Sequence, residues 1–287
     1  MIHCISYWSL PGGLENTCPI PDALQAAVQH EFQGVELCIG MQGRLTPDTP
    51  RSACEAIRDQ IDQAGLVCQT LASGMSWAAN PASDDAEVRA HAIAQHAAAL
   101  ERAAWLGCEA MLYVPGVAKS PISPDLVRYD KAVERVRDGV SELLETAERV
   151  GVDLCLENVW NGLFYSPTEF AGFIDSFNSD RLGVYLDVGN LMGYQQHPPH
   201  WIELLAHRIK RVHVKDFNES FGWLGSYAFC DLGAGQVPWE PTVQALRGVG
   251  YDKTVVAEMM PADPALLART RAAMHTLFPR STGHAIQ

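Results

Sequence analysis

Four predicted strands of this chain each end at a side chain that can move a proton or bind a metal ion. These side chains are Glu157 after the apolar run 152–156, Asp187 after 182–186, His213 after 209–212 and Glu258 after 254–257. Parallel strands of α/β proteins direct their carboxyl ends to one edge or face, where such folds place their chemistry. One strand-end glutamate would fit a rim ion pair equally well, but four such ends favour a shared site.

Three carboxylates and one imidazole form a set of hard oxygen ligands with a single nitrogen. Such a set suits Mn²⁺, Mg²⁺ or Co²⁺, whereas structural zinc sites are typically rich in thiolates. We therefore predict one divalent metal ion. Mn²⁺ is the first choice, and Mg²⁺, Co²⁺ or Zn²⁺ are the alternatives.

Charge and cysteine usage exclude several classes of partner. The 34 acidic residues against 21 basic ones give a formal net charge of −13, which is unsuited to a phosphate backbone, so no nucleic acid is expected. We find no leader and no long uncharged apolar run, so neither secretion nor a membrane partner is predicted. The 8 cysteines form no Cys-x-x-Cys pair and several lie in apolar patterns, which predicts reduced thiols and a cytoplasmic location.

Strand and helix patterns alternate along the whole chain. Eight alternations predict an α/β fold, a single (β/α)₈ TIM barrel over residues 1–287 with a polar tail at about 279–287. The first strand is predicted over 2–8, the third over 66–71, and the helix before the strand of Glu157 over about 124–150. Strands five to eight are neighbours in a barrel, so their four end residues can converge. A dinucleotide-binding sheet is disfavoured because no Gly-x-Gly-x-x-Gly follows the first strand.

Five short motifs resemble those of the sugar phosphate isomerase/epimerase superfamily, the xylose isomerase-like TIM barrels. They are Leu156-Glu157-Asn158, Leu186-Asp187-Val188-Gly189-Asn190, Val212-His213-Val214-Lys215-Asp216, Leu232-Gly233-Ala234-Gly235 and Ala257-Glu258. The resemblance covers nearly the whole chain and is closest to the ketose 3-epimerases and hydroxypyruvate isomerases. It implies a metal held by Glu157, Asp187, His213 and Glu258, with the two glutamates also moving protons. It also implies a homodimer or homotetramer.

The chain departs from the ketose 3-epimerase pattern at two positions that bind sugar hydroxyls in those enzymes. Asn190 and Glu219 stand where those enzymes typically carry a His and an Arg. Asn190 can still bind a hydroxyl, and Lys215 is a candidate replacement cation, although an ion pair with Asp216 is an equally good interpretation of that lysine.

Aromatic side chains near the predicted face are further candidates for substrate contact. Tyr7 and Trp160 are predicted to contact the substrate, although core or rim packing is the commoner role of an aromatic residue on a buried strand. The segment 221–229, with Trp223 and Tyr227, could cover the site. Glu36 resembles a recurrent acid of the second strand, for which a salt bridge inside the barrel is the favoured role.

These features predict a metal-dependent isomerase or epimerase of carbohydrate metabolism. Removal of a proton next to a carbonyl gives an enediolate, and Glu157 and Glu258 could serve as acid and base on its two faces. The main alternative is a dehydratase of the same superfamily, of the inosose or dehydroshikimate type. An apurinic-site endonuclease is a third, disfavoured by the charge and by missing strand-end histidines. Phosphorylated substrates stay open, with Gly233-Ala234-Gly235 as a candidate anion loop.

Overall fold

The computed structural model describes residues 1–220 and 226–279. The strands are β1 (Ile2–Ser6), β2 (Gly34–Ile39), β3 (Thr70–Ser73), β4 (Ala110–Tyr113), β5 (Lys119–Ser120), β6 (Ser123–Leu126), β7 (Asp153–Glu157), β8 (Leu182–Asp187), β9 (Ile209–Val214), β10 (Asp216–Glu219), β11 (Tyr227–Cys230) and β12 (Thr254–Ala257). Eight of them form a closed parallel barrel in the order β1-β2-β3-β4-β7-β8-β9-β12, with β12 pairing back to β1. The predicted (β/α)₈ barrel is confirmed.

Helices connect the barrel strands. They are α1 (Ile20–Gln29), α2 (Arg51–Gln63), α3 (Ala86–Leu106), α4 (Tyr129–Val150), α5 (Pro167–Asp175), α6 (Val188–Met192), α7 (Pro198–Leu205), α8 (Trp239–Gly248) and α9 (Leu266–Leu277). The two longest helices, α3 and α4, end at Gly107 and Gly151, whose φ angles of 82° and 77° are left-handed and favour glycine. None of the helices in the described part of the chain is long and apolar enough to cross a membrane.

Three predicted boundaries were wrong. The first strand ends at Ser6 because the Ser6 side chain accepts a hydrogen bond from the Trp8 amide and starts a 3₁₀ turn over Tyr7–Ser9. The third strand begins at Thr70 rather than at residue 66. Helix α4 begins at Tyr129, since 123–126 pair with 119–120 in a small hairpin after β4.

Apolar side chains form two clusters, one outside the barrel sheet and one inside it. The larger cluster packs the outer faces of the strands against the helices. A smaller cluster inside the barrel draws on β3, β4, β7 and β8, and consists of Ala72, Ala110, Leu112, Val114, Cys155 and Tyr185. Trp8, Trp77 and Val159 pack over this inner cluster. Because apolar side chains exclude water from this part of the interior, any charged side chain that points into the barrel needs a polar or charged partner there.

Candidate metal centre

The four strand-end side chains meet at the carboxyl end of the barrel. Glu157 ends β7, Asp187 ends β8, His213 lies near the end of β9 and Glu258 directly follows β12. One ligand atom from each lies within 4.8 Å of the other three, and all four residues are buried. Register explains the convergence, because Asp187 pairs with His213, and β9 pairs in turn with β12.

Two buried polar atoms facing this cluster make no hydrogen bond within the described residues. They are Nδ1 of His213 and Oδ2 of Asp187, which lie 4.0 Å apart. Nδ1 of His213 is also 3.3 Å from Oε2 of Glu258 and 3.9 Å from Oε1 of Glu157. Buried polar atoms are rarely left unpaired in native proteins. Nitrogen and oxygen atoms that face one centre without a hydrogen bond fit a divalent cation.

Lys215 brings a positive charge to the cluster. Its Nζ donates a hydrogen bond of 2.7 Å to Oε2 of Glu258 and lies 2.9 Å from Oδ2 of Asp187, where the pair lacks hydrogen-bond geometry. The alternative pairing of Lys215 with Asp216 was therefore wrong. A barrel-facing ammonium placed between two ligand carboxylates partly balances their charge.

The pKa values of the two glutamates are shifted in opposite directions. Burial, together with the charges of Glu258 and Asp187, raises the pKa of Glu157 well above its ordinary value. Burial acts in the same direction on Glu258, but attraction from Lys215 and His213 outweighs it and lowers the pKa of Glu258. Carboxyl groups whose pKa values are pushed apart can serve as an acid and a base in one site.

Two asparagines hold the ligand strands in register. The Asn158 side chain donates a hydrogen bond to the Asp187 carbonyl and accepts one from the Asp187 amide, both 2.8 Å long. Asn190 donates to Oε1 of Glu157 at 3.3 Å and to the Asn158 carbonyl at 3.0 Å. Asn190 thus lies at the cluster, where it orients Glu157. A contact between Asn190 and a substrate hydroxyl stays a prediction.

An aromatic wall stands beside Lys215. The Nζ of Lys215 lies 4.9 Å from the centre of the Phe229 ring, and Phe229 stacks on Trp160 with ring centres 5.0 Å apart. Trp160 donates its indole hydrogen to the Asn190 carbonyl at 3.0 Å. Its ring fits because residue 193 is glycine, where a Cβ would come within 2.2 Å of the indole. Trp160 is therefore near the cluster, one layer behind Phe229.

Tyr7 does not join this wall. Its ring is buried in the large apolar core and its hydroxyl donates a hydrogen bond to the Cys18 carbonyl. The turn after Ser6 explains this orientation, and no contact of Tyr7 with the four strand-end residues is observed among the described residues. The prediction that Tyr7 contacts substrate gains no support. Tyr227 lies in β11, whereas Trp223 and the first part of the predicted cover, 221–225, lie outside the described residues.

Asp216 organises the loop that leads to α8. Its Oδ1 accepts from the amides of Phe217 and Val237 at 2.8 and 3.1 Å, and its Oδ2 accepts from the Gly233 amide and the Trp239 indole, both at 2.8 Å. Gly235 allows this approach, since a Cβ there would lie 2.3 Å from Oδ1. The Gly233 amide, proposed as part of an anion site, is therefore already bonded to the Asp216 carboxylate.

Replacing Asp216 with Asn is expected to destabilise the protein by about 3 kcal/mol, because either orientation of the amide points an NH₂ group at two N–H donors, at least one of which is buried. Urea denaturation measures the loss. Asp231→Asn is the matched control, since Asp231 belongs to the same loop but pairs with Arg269 at the surface and should cost at most about 1 kcal/mol. Equal stability of the two variants would contradict this account of the loop.

Comparisons with known proteins agree with this geometry. The chain matches the family model of the xylose isomerase-like TIM barrel over residues 24–277. It is 36% identical over 77 residues to 3-oxo-isoapionate decarboxylase of Pectobacterium atrosepticum, covering 26% of this chain and 28% of that protein. It is 30% identical over 125 residues to L-ribulose-5-phosphate 3-epimerase UlaE of Escherichia coli, covering 44% of this chain and 42% of that protein. These alignments span less than half of each relative.

A solved structure supports the fold over nearly the full length. The crystal structure of D-psicose 3-epimerase with D-tagatose from Clostridium cellulolyticum superposes with a TM-score of 0.76. The superposition covers 96% of this chain and 98% of that chain, at 19% sequence identity. The family match over 24–277 identifies this chain as a member of the xylose isomerase-like TIM barrel family.

Proposed function

We propose that the protein is a divalent-metal-dependent isomerase or epimerase of a small sugar or hydroxy-carbonyl compound. The reaction proceeds through an enediolate, with Glu157 and Glu258 as acid and base. The observation that carries this proposal is the convergence of Glu157, Glu258, Asp187 and His213 at one barrel end, where Nδ1 of His213 has no hydrogen bond within the described residues. The matched epimerases support the reaction class.

Glu157, Asp187, His213 and Glu258 would hold one divalent ion, for which Mn²⁺ is the first choice. When bound, the ion supplies Lewis-acid stabilisation of the negative charge that develops on the substrate oxygens. The predicted substrate contacts are Asn190, Lys215, Trp160 and, without support from its position, Tyr7. A dimer or tetramer and a cytoplasmic location stay predictions.

Glu157 and Glu258 are suited to act on opposite sides of a planar intermediate. Their strands are separated in the barrel by β8 and β9, so the two carboxyl groups approach the centre from different directions. One carboxylate removes the proton from the carbon next to the carbonyl, and the other carboxyl group returns a proton to the opposite side. A 1,2-isomerisation needs only one of the two as its base.

The alternatives share the first steps of this chemistry. A dehydratase would follow proton removal with loss of a β-hydroxyl group. The match to a decarboxylase adds a second option, in which loss of carbon dioxide generates the enediolate directly. The endonuclease alternative gains nothing from the site, and the net charge of −13 disfavours binding to DNA.

Product analysis in heavy water distinguishes these reactions. The Mn²⁺-loaded protein is incubated in D₂O with a panel of ketoses and their phosphates, hydroxypyruvate, inososes, 3-dehydroshikimate and β-keto sugar acids, and the products are identified by NMR. We expect an epimer or an aldose–ketose pair with deuterium at the carbon next to the carbonyl. Dehydration would give an unsaturated product, and decarboxylation a product one carbon shorter. No conversion and no deuterium from protein shown to hold the metal would contradict the proposal.

A further inference from the structure

Glu36 reaches across the interior of the barrel to the proposed ligand His213. It lies on β2, which is not adjacent to β8 or β9, and it is fully buried. Its Oε1 is 2.6 Å from Nε2 of His213, and its Oε2 accepts a hydrogen bond from the Tyr185 hydroxyl. The inner surface therefore contains a carboxylate outside the four-residue cluster that contacts one of its members.

We propose that Glu36 is a positioning residue that holds His213 as the Nε2–H tautomer and thereby makes Nδ1 the metal-binding nitrogen. The inference rests on the metal site of the proposed function. Tyr185 acts one step further out, since its hydroxyl orients the Glu36 carboxylate. Neither residue touches the reacting atoms in this account.

The hydrogen-bond chemistry determines the direction of each contact. An ionised carboxylate only accepts hydrogen bonds, and a fully buried one needs donors to offset its desolvation. The Tyr185 hydroxyl is one donor, so the nitrogen that faces Oε1 must supply the other and carry a hydrogen. In a neutral imidazole the second nitrogen then holds a lone pair. That nitrogen is Nδ1, which faces the cluster and has no hydrogen bond to any residue that the structure describes.

The packing leaves His213 little freedom to turn. The rings of Tyr185 and His213 lie 4.4 Å apart at their centres, and both side chains are fully buried on neighbouring strands. Glu36 contacts the Nε2 edge of the imidazole, and the Nδ1 edge faces the carboxylates of the four-residue cluster. A hydrogen-bonded carboxylate behind a ligating histidine fixes the ring and raises its basicity as a ligand.

Metal affinity tests the role of Glu36 without depending on catalysis. In Glu36→Gln, Mn²⁺ binding measured by isothermal titration calorimetry is expected to weaken about 10- to 100-fold. Tyr185→Phe, which leaves Oε1 on His213, should weaken binding less. Glu109→Gln is the matched control, because Glu109 pairs with the buried Arg211 of the same strand β9 and, among the described residues, makes no hydrogen bond or ion pair with His213. We expect its Mn²⁺ affinity to equal that of the wild type.

A spectroscopic measurement reads the tautomer directly and does not require a variant of Glu36. Long-range ¹H–¹⁵N spectra of wild type loaded with diamagnetic Mg²⁺ are expected to show His213 protonated at Nε2 and not at Nδ1, with the resonance assigned by its absence in His213→Asn. Wild-type affinity in Glu36→Gln, or an Nδ1–H tautomer in the wild type, would overturn the inference while leaving the metal site intact. Absence of any Mn²⁺ binding by the wild type would instead overturn the metal site and the inference together.

Discussion

Glu157→Gln and Glu258→Gln are each expected to lower epimerisation by at least about 10³-fold, because each removes a proton-transferring carboxylate and a charged ligand while keeping the side-chain shape. The four ligand atoms lie within 4.8 Å of one another, so the glutamine side chain of either variant remains in the cluster. Steady-state turnover of the substrate identified in heavy water measures the loss. Glu203→Gln, on the exposed face of α7, is the matched control and should keep wild-type turnover.

The same two variants separate epimerase from isomerase. In a two-base epimerase, each variant should still exchange deuterium into the one epimer whose proton the remaining glutamate removes, although epimerisation stops. In a one-base isomerase, only one of the two variants should lose exchange altogether. Substantial turnover in both variants would contradict the assignment of either glutamate as acid or base.

Lys215→Met is expected to destabilise chelator-treated protein by about 3 kcal/mol, because it leaves the buried carboxylates of Asp187 and Glu258 without their cation. Saturating Mn²⁺ should recover much of this loss, since the ion supplies positive charge to the same oxygens. The increase in melting temperature on adding Mn²⁺ should therefore be larger in Lys215→Met than in the wild type. Thermal unfolding with and without chelator measures both effects.

Lys210→Met provides the matched control for Lys215→Met. Lys210 lies on β9, the strand that Lys215 directly follows, but its Nζ is 3.6 Å from the Asp153 carboxylate at the rim, so its loss should cost at most about 1 kcal/mol and should not change the response to Mn²⁺. If Lys215→Met were as stable as Lys210→Met in chelator, Lys215 would not be the counter-charge of the cluster.

The sequence was sufficient to predict the barrel and the meeting of four strand ends. All strands of a parallel barrel have their carboxyl ends on the same face. A residue such as Glu157, at the end of an apolar run, can therefore be placed on that face from the sequence alone. The same reasoning failed for Tyr7, because strand alternation stops at the turn that Ser6 initiates. Local hydrogen bonds of this kind leave little trace in an apolar pattern.

Contacts across the barrel could not be derived from spacing. Glu36 and His213 are 177 residues apart, and only closure of the barrel brings β2 across the interior from β9. A salt bridge inside the barrel was a sound expectation for Glu36, yet its partner was unknown. The choice of Lys215 between Asp187 and Asp216 depended likewise on side-chain direction. The Asp216 carboxylate accepts hydrogen bonds from four N–H donors within 217–239, whereas Lys215 contacts Asp187 and Glu258 of the cluster.

The most direct test of the central claim is the metal dependence of proton exchange. Chelator-stripped wild type is titrated with Mn²⁺ in D₂O, and deuterium incorporation next to the substrate carbonyl is followed by NMR. We predict negligible exchange without the ion and a rise that reaches its plateau at about one equivalent per chain, as a single site formed by Glu157, Asp187, His213 and Glu258 requires. Full exchange in the stripped protein, or none when the ion is bound, would contradict a metal-assisted enediolate at this site.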